Sequence, residues 1–268
     1  MKCGRQDDGG GMGDKSKIEW TQATWNPVSG CSKVSPGCAN CYAEALTKRY
    51  AGRPGWPAEF KPWTPENAPE NVVLHPDKLD LPLHWKKPRR VFVNSMSDLF
   101  HEAVPDEFVR DVFNVMACCP QHTFQVLTKR PYSMYRHVNE WLRFQDGTES
   151  PAGTVQPLPN IWLGVSVENQ HWADIRIDEL RRTPAAVHFL SCEPLLAPLV
   201  LDLDGIQWVV VGGESGPKRR EMNLDWARSL RDQCRAAGVA YFFKQAGGAW
   251  PGMPSGDPDL DGCKEMPR

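Results

Sequence analysis

Short apolar runs that end in polar residues recur along this chain. Between them lie longer segments whose apolar residues return every three or four positions. The runs 91–95 (VFVNS), 123–129 (TFQVLTK), 161–168 (IWLGVSVE), 187–193 (VHFLSCE), 207–214 (QWVVVGGE) and 240–245 (AYFFKQ) read as strands. The segments 105–119, 132–144, 170–182 and 224–237 read as helices. The first of these opens on Pro and two acids, which suit the positive end of a helix dipole. Residues 18–29 alternate apolar and polar up to Pro27, and part of that stretch reads as a first strand. Nearly continuous apolar strands alternating with helices predict parallel pairing. Counting the first strand, about seven β/α units follow one another in an unbroken rhythm. The expected fold is α/β, an incomplete TIM-like β/α barrel of about six to seven parallel strands. A doubly wound open sheet is the alternative. No G-x-G-x-x-G opens an early helix, so a dinucleotide fingerprint is absent.

The rhythm fails in a few places. Residues 51–70 hold five prolines, which forbid a regular element. They read as an insertion anchored by Trp56 and Trp63, either a lid or a surface loop pinned by its aromatics. Residues 145–160 form a Gly/Ser/Pro loop. Residues 1–16 read as a disordered tail, with Met12 as a second candidate start, and 247–268 as a flexible one. That leaves 17–246 as a single domain.

The most loaded loop follows the first strand. Cys31, Cys38 and Cys41 are spaced C-x6-C-x2-C among Ser, Pro, Gly and Asn, just ahead of a helix over Tyr42–Tyr50. Three thiolates this close suit one soft metal centre. A structural zinc site closes with a fourth Cys or His, and the next His is His75. Three ligands therefore point to a [4Fe–4S] cluster with one iron left open. A zinc site borrowing a distant ligand, a redox C-x-x-C pair and unrelated packed thiols are the alternatives.

Functional groups of a β/α barrel gather at the carboxyl ends of its strands. Here those ends carry Asn94, Ser95, Ser97 and Asp98, then Lys129, then Ser166 and Glu168, then Cys192 and Glu193, then Glu214, then Lys244. Helix capping accounts for some of these side chains taken singly. As a set on one rim with the cysteine loop, they read as a cofactor and substrate pocket.

Composition narrows this picture only a little. A net charge of −2 over 268 residues gives no global attraction to nucleic acid or lipid, although a local basic groove would be diluted in it. Lys87–Arg90 and Lys218–Arg220 are basic clusters that suit phosphates or simply a solvated surface. Eleven Trp read mainly as packing, with stacking on a planar substrate open to some. No run is long enough to span a membrane, and the first residues lack an apolar signal core. Nine Cys without an export signal place the chain in a reducing cytoplasm. Cys118, Cys119 and Cys234 fall on predicted helices as packed thiols.

A three-Cys loop after the first strand of a partial barrel resembles the radical S-adenosylmethionine enzymes. The common spacing there is C-x3-C-x2-C with an aromatic before the last Cys. Here the first gap is six residues and the aromatic, Tyr42, follows Cys41. A longer resemblance, over 17–245, is to the phage Gp37/Gp68 or three-Cys-motif family, a domain of unknown function in phages and bacteria. It rests on the blocks KIEWTQATWNPVSGCSKVSPGCANCYAE, RRVFVNSMSDLFHEAVPDEF, HTFQVLTKRP, IWLGVSVENQ, FLSCEPLL, WVVVGGESGP and FFKQ.

The radical resemblance implies roles. Cys31, Cys38 and Cys41 would hold three irons of a [4Fe–4S] cluster, and S-adenosyl-L-methionine would occupy the fourth. A reductant protein would donate the electron that cleaves its sulfonium to a 5′-deoxyadenosyl radical. Asn94, Ser95 and Ser97, with Asp98 nearby, would hold the cofactor's amino group. Lys129 would pair with its carboxylate, and Ser166 and Glu168 with its ribose. Glu193, Glu214 and Lys244 are left for substrate or proton transfer, and Cys192 for donating a hydrogen atom or for packing. The resemblance points to nucleic acid or a modified nucleotide as substrate. The competing readings are a zinc-stabilised nucleic-acid-binding module without catalysis, and a cluster protein that does not use S-adenosylmethionine.

Overall fold

The structure, a computed structural model, describes residue 16 and residues 18–146 and 156–267. Residues 1–15 of the predicted tail at 1–16 and most of the predicted loop at 145–160 lie outside the described residues. In chain order the strands are β1 (Ala23–Trp25), β2 (Val28–Ser29), β3 (Val73–Leu74), β4 (Arg90–Val93), β5 (Thr123–Thr128), β6 (Ile161–Ser166), β7 (Val187–Cys192), β8 (Trp208–Gly212) and β9 (Ala240–Gln245). The α-helices are α1 (Tyr42–Tyr50), α2 (Ala68–Asn71), α3 (Asp106–Ala117), α4 (Pro131–Asp146), α5 (Gln170–Arg182), α6 (Leu224–Ala237) and α7 (Pro258–Asp261).

Seven strands form one sheet in the order β1-β4-β5-β6-β7-β8-β9, and every neighbouring pair is parallel. Each crossover steps to the next position in the same direction. The order never reverses, so the doubly wound alternative is excluded. The sheet curls into a half-barrel, as the strand rhythm predicts. β2 and β3 pair antiparallel as a small ribbon beside it.

Strand alternation sorts side chains into two layers. The outer face packs on the helices through Val91, Val93, Phe124, Val126, Leu163, Val165, Val209 and Val211. The amphipathic helices meet it with Val109, Val112, Phe113, Leu180 and Leu230. The inner face is filled by Phe92, Phe189, Trp208, Val210 and Phe242, closed by Trp20. Trp208 lies 5.5 Å from Phe189 and 5.8 Å from Trp20, ring centre to ring centre. Gly164 is what admits Phe189, because a Cβ there would stand 2.5 Å from its ring. Trp20, Trp25, Trp63, Trp141 and Trp208 are buried, so much of the high Trp count is packing.

The insertion has the anchors its aromatics predict. Trp63 is buried, its amide donates to Glu44, and its carbonyl accepts from the Lys33 amide of the cysteine loop. Trp56 lies 5.1 Å from Tyr50.

The chain after Ala246 departs from the expected flexible tail. Leu260 of α7 is fully buried, and Lys264 forms an antiparallel bridge with Phe242. The Phe243 amide donates to Cys263 O, and the Glu265 amide to Tyr241 O. Gly and Pro made this segment look unstructured, but it binds through its backbone to the open edge of β9. Among the described residues, no helix is long and apolar enough to cross a membrane.

Candidate functional site

The inner-face alternation does not stop at the aromatic floor. Stepping by two from Phe92, Leu127, Trp162, Phe189, Trp208 and Phe242 leads to Asn94, Lys129, Ser166 and Glu168, Ser191 and Glu193, Gly212 and Glu214, and Lys244. The registers level these ends, with Ser166 opposite Ser191 and Cys192 opposite Val211. The predicted rim residues therefore share one mouth. Cys192 does not. It sits one position out of step, fully buried on the helix side with Leu190, Val211 and Cys234. Burial pushes its thiol well above the usual range. Cys192 is a packed thiol facing away from the mouth, which corrects its candidacy as a hydrogen-atom donor.

The cysteine loop lies over this mouth, tied down by three arginine–carboxylate pairs. The Cys31 corner is held by Arg130, whose Nη1 donates to Cys31 Sγ at 3.5 Å and to Asp98 Oδ2 at 3.3 Å. Its Nη2 donates to Ser32 O and Ser32 Oγ at 3.2 and 3.0 Å. Its Nε donates to Glu102. Asp98 is fixed in turn by Thr128 Oγ1 at 2.7 Å and by the Phe100 and Lys129 amides. Burial opposes the Arg130 charge, but Asp98, Cys31 and Glu102 more than offset it and raise its pKa.

Beside Cys38, the Gly37 amide donates to Glu168 Oε1 at 3.1 Å, and Arg176 Nη1 donates to Glu168 Oε2 at 2.8 Å. Both side chains of that ion pair are about 1% exposed. Gly37 has to be small here, since a Cβ would come within 3.1 Å of the carboxylate. Beside Cys41, Asn40 Nδ2 donates to Glu214 Oε2 and to Lys218 O, both at 2.9 Å. Arg220 binds Glu214 and reaches Pro36 O at 2.9 Å. Burial works against the Glu214 charge, yet the bonds from Arg220 and Asn40 hold its pKa below the usual carboxylate range.

The thiols are free of disulfides. Burial first, and Asp98 next, push Cys31 up to about 12, and burial raises Cys41. A charge placed on Cys38 would raise both of them further.

The remaining rim groups line the mouth. Lys129 Nζ donates to Ser166 Oγ at 3.1 Å and stabilises charge on Cys41. Lys244 pairs with Glu193 at 2.8 Å, and Ser191 donates to the same carboxylate. Gly212 leaves room for Glu193, whose Oε1 would lie 2.9 Å from a Cβ there. Asn94 takes a left-handed backbone (φ 59°), which Asn tolerates, and its buried Nδ2 has no hydrogen-bond partner among the described residues. Ser95 Oγ and Ser97 Oγ are spent on Asn26 Oδ1 and Val28 O, tying this loop to β2 and the turn before it. The Tyr42 hydroxyl donates to Ser95 O. Of the two basic clusters, Lys218–Arg220 touches the cysteine loop. Lys87–Arg90 leads into the amino end of β4, the opposite end of the barrel, and Arg89 packs over Trp85 at 5.3 Å.

The sequence matches, over residues 15–257, the family described as protein of unknown function (DUF5131). The chain belongs to the DUF5131 family. No curated protein and no solved structure matches it.

Sequence reasoning about this DUF5131 chain saw Arg130 at a strand end and Arg220 in a basic cluster, but gave no arginine a role in holding the cysteine loop. Arg176 left a readable trace, for it sits in the stripe Ala173, Arg176, Ile177, Leu180, where an apolar residue is expected. Arg130 stands in the conspicuous TKRP block. The role of Ser32, bound to both Arg130 and His101, depends on a contact 69 residues away.

Among the described residues no three His, Cys, Asp or Glu side chains stand grouped to hold a single ion. A cuboidal [4Fe–4S] unit bonds each thiolate to a different iron, so it does not require three sulfurs about one point. The histidines near the loop are engaged elsewhere, His75 on Ser29 Oγ and His101 on Ser32 Oγ, each at 2.8 Å. Three thiols with those histidines turned to hydroxyls fit the incomplete ligand set of such a cluster.

Proposed function

We propose that this DUF5131 protein is a radical S-adenosyl-L-methionine enzyme built around a [4Fe–4S] cluster. The reading extends the resemblance to the phage Gp37/Gp68 family and the radical enzymes. Its main support is one observation. Three cysteines on a clamped loop share the mouth of a half-barrel with a ring of inner-face polar side chains. When bound, the cluster supplies the electron that opens the cofactor's sulfonium.

In this reading Cys31, Cys38 and Cys41 hold three irons and leave the fourth to S-adenosylmethionine. Asn94 offers its unpaired amide, and the Ser95 carbonyl is the acceptor for an ammonium group. Lys129 supplies a cation for a carboxylate beside Cys41. Glu193 and Lys244 face the substrate as a proton-exchanging pair. Glu168 and Glu214, first read as ribose and substrate ligands, act as clamps on the loop. The aromatic floor closes the far end of the barrel interior and keeps water out. A reductant protein supplies the electron.

The substrate class is a nucleic acid or modified nucleotide. The support is the exposed Lys218 and Arg219 beside the cysteine loop, placed to meet phosphates.

The test begins with anaerobic purification and metal analysis. Reduced protein incubated with S-adenosylmethionine is expected to release 5′-deoxyadenosine, and a Cys31→Ala, Cys38→Ala, Cys41→Ala triple variant to release none. An intact cluster that yields no 5′-deoxyadenosine rejects the radical reaction. One zinc per chain in place of iron supports the binding-module reading instead.

A further inference from the structure

We propose that Arg130 is the positioning residue of the Cys31 corner, and that its N–H bond to Cys31 Sγ sets the reduction potential of the cluster held there. The inference rests on the cluster reading above and adds a residue to it. All three nitrogens of the buried guanidinium are committed. Nη1 serves Cys31 and Asp98, Nη2 serves Ser32 twice, and Nε serves Glu102. Rotating the fork to free the sulfur would break several charge-assisted bonds together. Asp98, which orients the fork, is fixed by three further donors, from Phe100, Thr128 and Lys129. Ser32 is fixed from its other side by His101. The Nδ1 of that ring accepts from the Ala103 amide at 3.0 Å, so in the neutral ring Nε2 carries the proton and points at Ser32 Oγ. The corner is thus over-determined, and one N–H of a permanent cation is left aimed at one sulfur.

A ligand sulfur that receives such a hydrogen bond gives up electron density. The more negative, reduced state of the cluster gains most from the donor, so the potential rises. The bond also makes the three ligand corners inequivalent, since Cys38 and Cys41 receive no arginine N–H among the hydrogen bonds of the described residues.

The test compares wild type with Arg130→Gln and Arg130→Lys, with Arg136→Gln as a control for losing a surface arginine. Anaerobically reconstituted proteins are titrated by EPR for midpoint potential and assayed for iron. With equal iron, Arg130→Gln is expected at a more negative potential than wild type. Arg130→Lys keeps the cation but not the fork, and is expected between them. A potential for Arg130→Gln that matches wild type overturns the proposal. A second readout uses the metal-free proteins. Hydrogen exchange of the amides in 30–37 should quicken in both Arg130 variants and not in Arg136→Gln; unchanged exchange overturns the positioning role. If wild type takes up no cluster, the proposed function fails, and the exchange measurement alone then decides whether Arg130 positions Cys31.

Discussion

The two ends of the barrel interior come from the same strands by the same alternation, yet they hold opposite kinds of residue. At the floor, Phe92, Phe189, Trp208, Val210 and Phe242 interlock as rings and branched chains. Two to six residues onward, in steps of two, the same faces of the sheet carry Asn94, Lys129, Ser166, Glu168, Glu193, Glu214 and Lys244. The floor is held by area and shape, with no direction to its bonds. The rim is held by paired charges with fixed directions, and most of those pairs hold the cysteine loop. A stable core and a polar site thus coexist on one short strand, because the transition from one to the other takes two residues.

If that contrast is right, damage to the two ends should differ in kind. The largest loss is expected from Trp208→Ala at the floor. It removes the ring that contacts Trp20, Trp162, Phe189 and Phe242, and should cost about 3–5 kcal/mol in denaturant unfolding. Variants that still fold should keep the cysteine loop's exchange pattern. Glu168→Gln should approach the same cost, about 3–4 kcal/mol, because it strands the buried Arg176 charge. Here the loop amide at Gly37 should also lose protection, which the floor variant does not produce.

Glu214→Gln is milder, about 1–2 kcal/mol, since Arg220 stays partly in water. Its signature should be faster exchange near Asn40, with an unfolding midpoint lowered less than in Glu168→Gln. Smaller again is a pH effect away from the mouth. Burial depresses the pKa of His122 and His137 below 6.5. Their unfolded forms therefore bind more protons as pH falls below 6.5. Stability present above that pH should be lost progressively on acidification, seen as a lower Tm at pH 5.5 than at pH 7.5. The smallest effect is expected from Arg136→Gln, which breaks an exposed pair with Asp106 and should stay within about 1 kcal/mol of wild type.

The fold was legible because each strand is a compact apolar run with a helix after it, and only one crossover direction continues that rhythm into a curled sheet. The rim was legible for the same reason, since strand ends are visible in sequence. What was missed has particular causes. Cys192 neighbours Ser191 and Glu193 in sequence but is half a pleat away in space, a parity that counting by two would have found. The segment beyond Ala246 is Gly- and Pro-rich, and its order comes from backbone bonds to β9 that composition does not report. Ser95 and Ser97 look like ligands but spend their hydroxyls on Asn26 and the Val28 carbonyl. The clamps on the cysteine loop join residues more than 90 positions apart, such as Cys31 with Arg130 and Asn40 with Glu214. Local patterns do not carry contacts of that range.

The long first gap of the cysteine motif gains a physical reason from these contacts. Its six residues include Ser32, which meets Arg130 and His101, and Gly37, which meets Glu168. The gap sets these two anchors five positions apart, one at each of its ends.

In the proposed function, three sulfurs grip a cluster incompletely and leave one iron free for S-adenosylmethionine. EPR of the anaerobically reconstituted, reduced protein tests it most directly, with and without that cofactor. A [4Fe–4S] signal from about four irons per chain is expected, and its shape should change when S-adenosylmethionine is added. A cluster signal that is indifferent to S-adenosylmethionine, or a protein that takes up zinc and no iron, would contradict it.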